Sequence, residues 1–107
     1  METTKKETFS DIIQSGKIVL VDFYADWCGP CKMMQPILKE LSSTLADDVR
    51  IIKIDVDKNP LASSSFQIRG VPTLVLFKGG KIVWRQSGIM SVVQLKEVID
   101  SVQLLNN

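Results

Sequence analysis

Between an apolar segment of strand length, Ile18 to Ala25, and an apolar stripe of helical period stands Trp27-Cys28-Gly29-Pro30-Cys31-Lys32, which holds both cysteines of the chain. The segment is β-branched at Ile18, Val19 and Val21, and the stripe runs Met34, Ile37, Leu38, Leu41, Leu45, so the chain turns here from strand into helix. If the helix begins near Gly29 or Pro30, Cys28 and Cys31 stand at i and i+3 on one face of its first turn. Their sulfurs can then meet, and the pair can exist as a dithiol or as a disulfide.

A chain of 107 residues is the usual size of one domain and buries about two-thirds of its unfolded surface, so residues 1–107 are expected to fold as a single unit without staples. Thirteen basic against twelve acidic residues leave a net charge of +1 with no long run of either sign, which gives no footprint for nucleic acid or anionic lipid. Met1 to Thr8 is polar and lacks the apolar centre of a secretory signal, and no stretch approaches the length of a membrane span. The expected setting is the cytoplasm, with no membrane association. Two cysteines are too few for a secreted disulfide framework.

Residues 1–7 show no apolar alternation and are expected to fray. Phe9, Ile12 and Ile13 give a short amphipathic helix that Gly16 can end in the left-handed conformation. Ile18 to Ala25 is apolar on both faces, as a central strand covered by helices should be. Asp22 breaks that pattern on the face it shares with Leu20 and Tyr24. Either this face is partly wet near the end of the sheet, or the carboxylate has a task beside the cysteine corner. The second helix starts at Pro30, and Pro36 inside it predicts a kink near residues 32–36.

Val49 to Val56 alternates as a second strand, and the strand–helix–strand order predicts a right-handed parallel unit. Asn59-Pro60 opens a short helix to about Phe66, with Asn59 as its cap. Thr73 to Lys78 and Lys81 to Gln86, joined by Gly79-Gly80, form a hairpin. Ser91-Val92-Val93-Gln94 is a capping-box pattern opening a last helix along Val92, Leu95, Ile99 and Val102. The fold class is α/β: a central mixed sheet with helices on both faces.

A Cys-x-x-Cys pair has three ordinary uses. Zinc needs two more thiolates or imidazoles, and this sequence has no other cysteine and no histidine, so no metal is expected. As a staple it closes a four-residue loop, worth only about 2 kcal/mol. The remaining use, a reversible redox couple, suits the corner. Cys28 at the helix N-terminus is the expected nucleophile, because unpaired N–H groups and the helix dipole favour its thiolate. Cys31, one turn in and less exposed, is the expected resolving thiol, and a partly buried Asp22 of raised pKa is the candidate acceptor of its proton.

The run from Val21 to Lys32, followed in order by Pro36, Asp55 to Pro60, Gly70 to Leu76 and the hairpin, resembles the thioredoxin family over about residues 9–105. The resemblance implies the thioredoxin fold with four to five strands, and a general protein disulfide reductase. It also implies no bound cofactor, with electrons coming from NADPH through a separate flavin-dependent thioredoxin reductase, disulfide-containing proteins as targets, and a monomer. It matches Cys28 to the nucleophile, Cys31 to the resolving cysteine, Asp22 to the buried acid and Lys53 to the lysine that modulates it. Pro72 matches a cis-proline packed against the disulfide, and Val71 offers backbone hydrogen bonds to an extended target. Trp27, Gly29, Pro30, Val71, Pro72, Gly88 and Ile89 would form the apolar patch on which targets dock.

Read without the family, Trp27 is a packing aromatic, Pro72 an ordinary trans loop residue, Gly88 a turn and Lys53 a solvated strand residue. The alternative function is a redox-independent binding module using the apolar patch around Trp27 and Pro72. The chain departs from the family pattern in four places: residues 1–7 make a poor first strand, Tyr24 stands where Trp is common, Ser87 replaces an apolar residue, and Trp84 is an added aromatic.

Overall fold

The structure, a computed structural model, describes residues 8–104. The expected fraying of residues 1–7, and the question of a first strand there, lie outside the described residues. The elements are α1 (Phe9–Ile13), β1 (Ile18–Tyr24), α2 (Gly29–Ser42), β2 (Val49–Asp55), α3 (Pro60–Ser65), β3 (Thr73–Lys78), β4 (Lys81–Ser87) and α4 (Val92–Leu104). The described strands form one sheet in the order β2-β1-β3-β4. As the sequence predicts, β1 runs parallel to β2 and β4 returns on β3 as a hairpin; the structure places β3 antiparallel beside β1.

Alternation along β1 divides the core. Ile18 and Leu20 join Leu74 and Leu76 against Met34, Leu38 and Leu41 of α2 and Leu95 and Ile99 of α4. Val19, Val21 and Phe23 face the other way with Val75 and Phe77, towards Phe9, Ile12 and Phe66. There the Phe9, Phe66 and Phe77 rings meet edge to face with centroids 5.2–5.7 Å apart, the arrangement their quadrupoles favour. Because β1 is covered on both sides, every one of its residues up to Phe23 is buried, and Asp22 is carried inside with its neighbours.

Local chemistry sets the ends. Thr8 caps α1 in a reciprocal pair with Asp11, and Ser91 caps α4 in the predicted pair with Gln94. Gly16 does adopt a left-handed φ of +89°, but α1 has already ended at Ile13. α2 passes through Pro36, which has no N–H to give the Lys32 carbonyl. Asn59 precedes α3 without capping it: its side chain donates to the Asp55 carbonyl at 3.0 Å instead. The turn is organised by Asp55, whose Oδ1 accepts from the Asp57 and Lys58 N–H groups at 2.9 and 3.3 Å. Strands β1 and β2 stop one residue short of the predicted ends, and β4 runs one residue further, to Ser87. A register shift between Leu76 and Phe77 leaves Val83 without a partner, a bulge that the hairpin pattern did not foretell.

Candidate functional site

The corner forms as a strand end delivered to a helix start. Cys28 is the N-cap residue of α2, in extended conformation, and its sulfur accepts a hydrogen bond from the Cys31 N–H at 3.1 Å. Pro30 sits at the start of the first turn, where its missing N–H breaks no bond. Cys28 and Cys31 are joined as a disulfide, with Cα atoms 5.3 Å apart. Both are buried, at 4% and 2% exposure, so the predicted contrast between an open and a covered cysteine is slight in the oxidised form. They pack with Ala25, with Tyr24, Val56 and Val71 around them.

Asp22 lies fully buried, and neither of its carboxylate oxygens has a hydrogen-bond partner among the described residues. The carboxylate itself is carried inside, while the same face opens to solvent beside it, where Tyr24 is half-buried and Lys53 exposed. Burial raises the Asp22 pKa from 3.8 to about 6, with the charge of Lys53 pulling the other way. Lys53 stands opposite Asp22 in the β1–β2 register. Its own side chain is exposed, and the ammonium lies 4.7 Å from the centre of the Tyr24 ring, a cation–π contact. An aromatic at position 24 therefore has a defined neighbour.

Trp27 projects into solvent at 70% exposure, too open for a core aromatic, with its indole N–H donating to Asp57 at 2.9 Å. With Val56, Ile68, Arg69, Gly70 and Val71 it lines a cleft of about 130 Å³. The Val71–Pro72 peptide is cis, which excludes the ordinary trans loop. Pro72 is buried, and its carbonyl accepts from the Gly88 N–H at 2.9 Å, so the two loops of the predicted patch are joined. Gly88 has φ +94°, a conformation that favours glycine. Gly29, Pro30 and Ile89 are exposed. Ser87, where an apolar residue was expected, meets the Thr73 hydroxyl at 3.1 Å, and Trp84 packs half-buried against the α2–α4 core.

Sequence reasoning missed Asp57 as the partner of Trp27, the ties that Arg85 makes to the segment before β3, and the bond of Ser87 to Thr73 at the start of β3. No local pattern pairs positions thirty residues apart.

The family model described as Thioredoxin matches residues 1–101. The chain belongs to the thioredoxin family. It is 48% identical over 92 residues to a thioredoxin of Acidithiobacillus ferridurans, covering 86% of this chain and 85% of the relative. To a thioredoxin of Mycobacterium bovis it is 43% identical over 107 residues, covering 99% and 92%. It is also 42% identical to a bifunctional thioredoxin reductase/thioredoxin of Mycobacterium leprae, of which it spans 23%. Among solved structures, a single-substitution mutant thioredoxin from Halobacterium salinarum superposes with a TM-score of 0.82 at 41% identity, covering 91% of this chain and 84% of that one. The expected α/β thioredoxin fold holds, as a mixed sheet of four described strands.

Members of the family are protein disulfide oxidoreductases, and the Cys28–Cys31 disulfide fits a thiol–disulfide reductase. The alternative of a redox-independent binding module is not favoured. Among the described residues no cluster of His, Cys, Asp or Glu could hold a metal ion, and no helix is long and apolar enough to cross a membrane.

Proposed function

We propose that this chain reduces disulfides of other proteins by a two-step exchange in which Cys28 attacks and Cys31 resolves. The observation that carries the assignment of roles is the Cys31 N–H donating to Cys28 Sγ at the start of α2. In the reduced protein the same donor and the helix dipole favour a thiolate on Cys28. That thiolate attacks one sulfur of a target disulfide; the S–S bond breaks, and the other target sulfur leaves as a thiolate. Asp22, ionised above about pH 6, takes the proton of Cys31. The Cys31 sulfur then attacks Cys28 Sγ and expels the target's second thiolate. Two electrons have passed to the target, and this chain holds the disulfide.

Lys53 keeps Asp22 from rising further in pKa, so that it is ionised at neutral pH. Trp27, Gly29, Pro30, Val71, Pro72, Gly88 and Ile89 receive the target as an extended segment. No backbone hydrogen bond among the described residues uses the Val71 N–H or C=O, which suits them to a target strand. No bound cofactor is needed. Electrons return from NADPH through a separate flavin-dependent thioredoxin reductase, a partnership to which the fused Mycobacterium leprae relative lends support. The expected setting remains a cytoplasmic single domain, on composition and size, and a monomer, as the family resemblance implies.

Reduction of insulin driven by dithiothreitol, followed by turbidity, tests the reading. Cys28→Ser should abolish the acceleration, and full activity in that variant would end the proposal.

A further inference from the structure

Strand β4 makes a set of polar contacts that the sulfur chemistry does not use. The Arg85 guanidinium donates through Nη1 to the Phe66 carbonyl at 2.7 Å and through Nη2 to the Gln67 carbonyl at 3.1 Å. These carbonyls lie just past the C-terminus of α3, where no helical donor remains, and a planar fork can hold two of them together. Gln67 has φ +56°, a left-handed conformation that a side-chain-bearing residue keeps only with support.

Two positions along the same strand face, Ser87 meets Thr73 at 3.1 Å, and the Thr73 hydroxyl donates to the Gly70 carbonyl at 2.6 Å. Thr73 has one hydroxyl proton, and Gly70 takes it, so Ser87 is the donor to Thr73. Together with the Gly88–Pro72 bond, β4 and its end hold the carbonyls of residues 66, 67 and 72 directly, and Ser87 supports the Thr73 hydroxyl that holds the carbonyl of Gly70. Between these ties lie Ile68, Arg69, Gly70 and Val71, which form the cleft wall facing Trp27.

We propose that Arg85, assisted by Ser87, is a positioning residue for target binding, fixing the Phe66–Pro72 segment so that the cleft beside Trp27 exists before a protein docks. The inference rests on the reductase reading above and concerns only how a large target is held. A preformed wall lowers the ordering cost of docking, whereas the reactivity of Cys28 depends on α2 and is untouched. A small disulfide that does not use the wall should be indifferent to Arg85.

The test mixes pre-reduced protein with insulin over a range of concentrations, and separately with the small disulfide dithionitrobenzoate. In Arg85→Ala the half-saturating insulin concentration should rise about three- to tenfold, as for one or two lost hydrogen bonds, with the limiting rate unchanged. The rate with dithionitrobenzoate should stay at the wild-type value. Amide exchange across residues 66–72 should quicken while that of α2 does not, and Ser87→Ala should show a smaller version of both effects. An unchanged half-saturation, or an equal loss with both disulfides, would overturn the positioning role. A wild-type protein that fails to reduce insulin would instead sink the reductase reading, and the exchange measurement would still judge whether Arg85 holds the segment.

Discussion

Asp22 stands opposite Lys53 in the parallel register of β1 and β2, yet its carboxylate has no hydrogen-bond partner among the described residues, while the ammonium lies 4.7 Å from the centre of the Tyr24 ring. The lysine acts on the acid at a distance, through its field. The acid is left with an environment that favours its protonated form up to about pH 6.

This makes stability depend on pH with a definite sign. Unfolded, Asp22 releases its proton near 3.8; folded, it keeps it to about 6. Between those values the native state binds more protons than the unfolded state, so stability falls as pH rises. Above about pH 6 the penalty is complete, at about 3 kcal/mol for a shift of this size. Asp22→Asn has no such titration. Urea unfolding should show its advantage over wild type growing between pH 4 and 6 and level above; parallel curves would contradict the buried, raised acid.

Lys53→Met should move the Asp22 midpoint further up, because the lysine is what lowers it. Since Lys53 is exposed, added salt should shift the wild-type midpoint in the same direction and by less. Carbon NMR of the Asp22 carboxyl reads both. A midpoint indifferent to the substitution would remove Lys53 from the account.

Cys31→Ser should stop the exchange after its first step, because no second thiol remains to attack the Cys28 sulfur. Covalent adducts with insulin chains should accumulate on non-reducing gels and vanish with dithiothreitol. Recovery of the variant without adducts would argue against Cys31 as the resolving thiol.

Gln67→Gly should stabilise the fold by about 0.5–1 kcal/mol, since glycine enters the φ +56° conformation without a Cβ clash, a gain only partly offset by the greater backbone freedom it loses on folding. Thermal or urea unfolding measures it. A destabilised variant would mean that the Gln67 side chain contributes more than its backbone strain removes.

What the sequence disclosed follows the range of the interactions. The corner at Cys28, the parallel pair β1–β2, the Gly79-Gly80 hairpin and the Ser91–Gln94 cap are written in neighbouring residues, and each was legible. The family match carried the cis peptide before Pro72, which no periodicity encodes. Asn59 misled because it stands where a cap belongs, while Asp55 had already taken over the turn. The complete burial of Asp22 depends on both sheet faces being covered, and the Trp27–Asp57 and Arg85–Phe66 bonds join residues 30 and 19 positions apart. Such contacts exist only once the chain has folded.

The most direct measurement is the pH dependence of alkylation of the reduced protein, with the modified cysteine identified by mass. Cys28 should react first, with a midpoint below the value of about 8.5 for a free cysteine, because a helix N-terminus and the Cys31 N–H stabilise its anion. A midpoint at or above that value, or prior reaction at Cys31, would contradict the account.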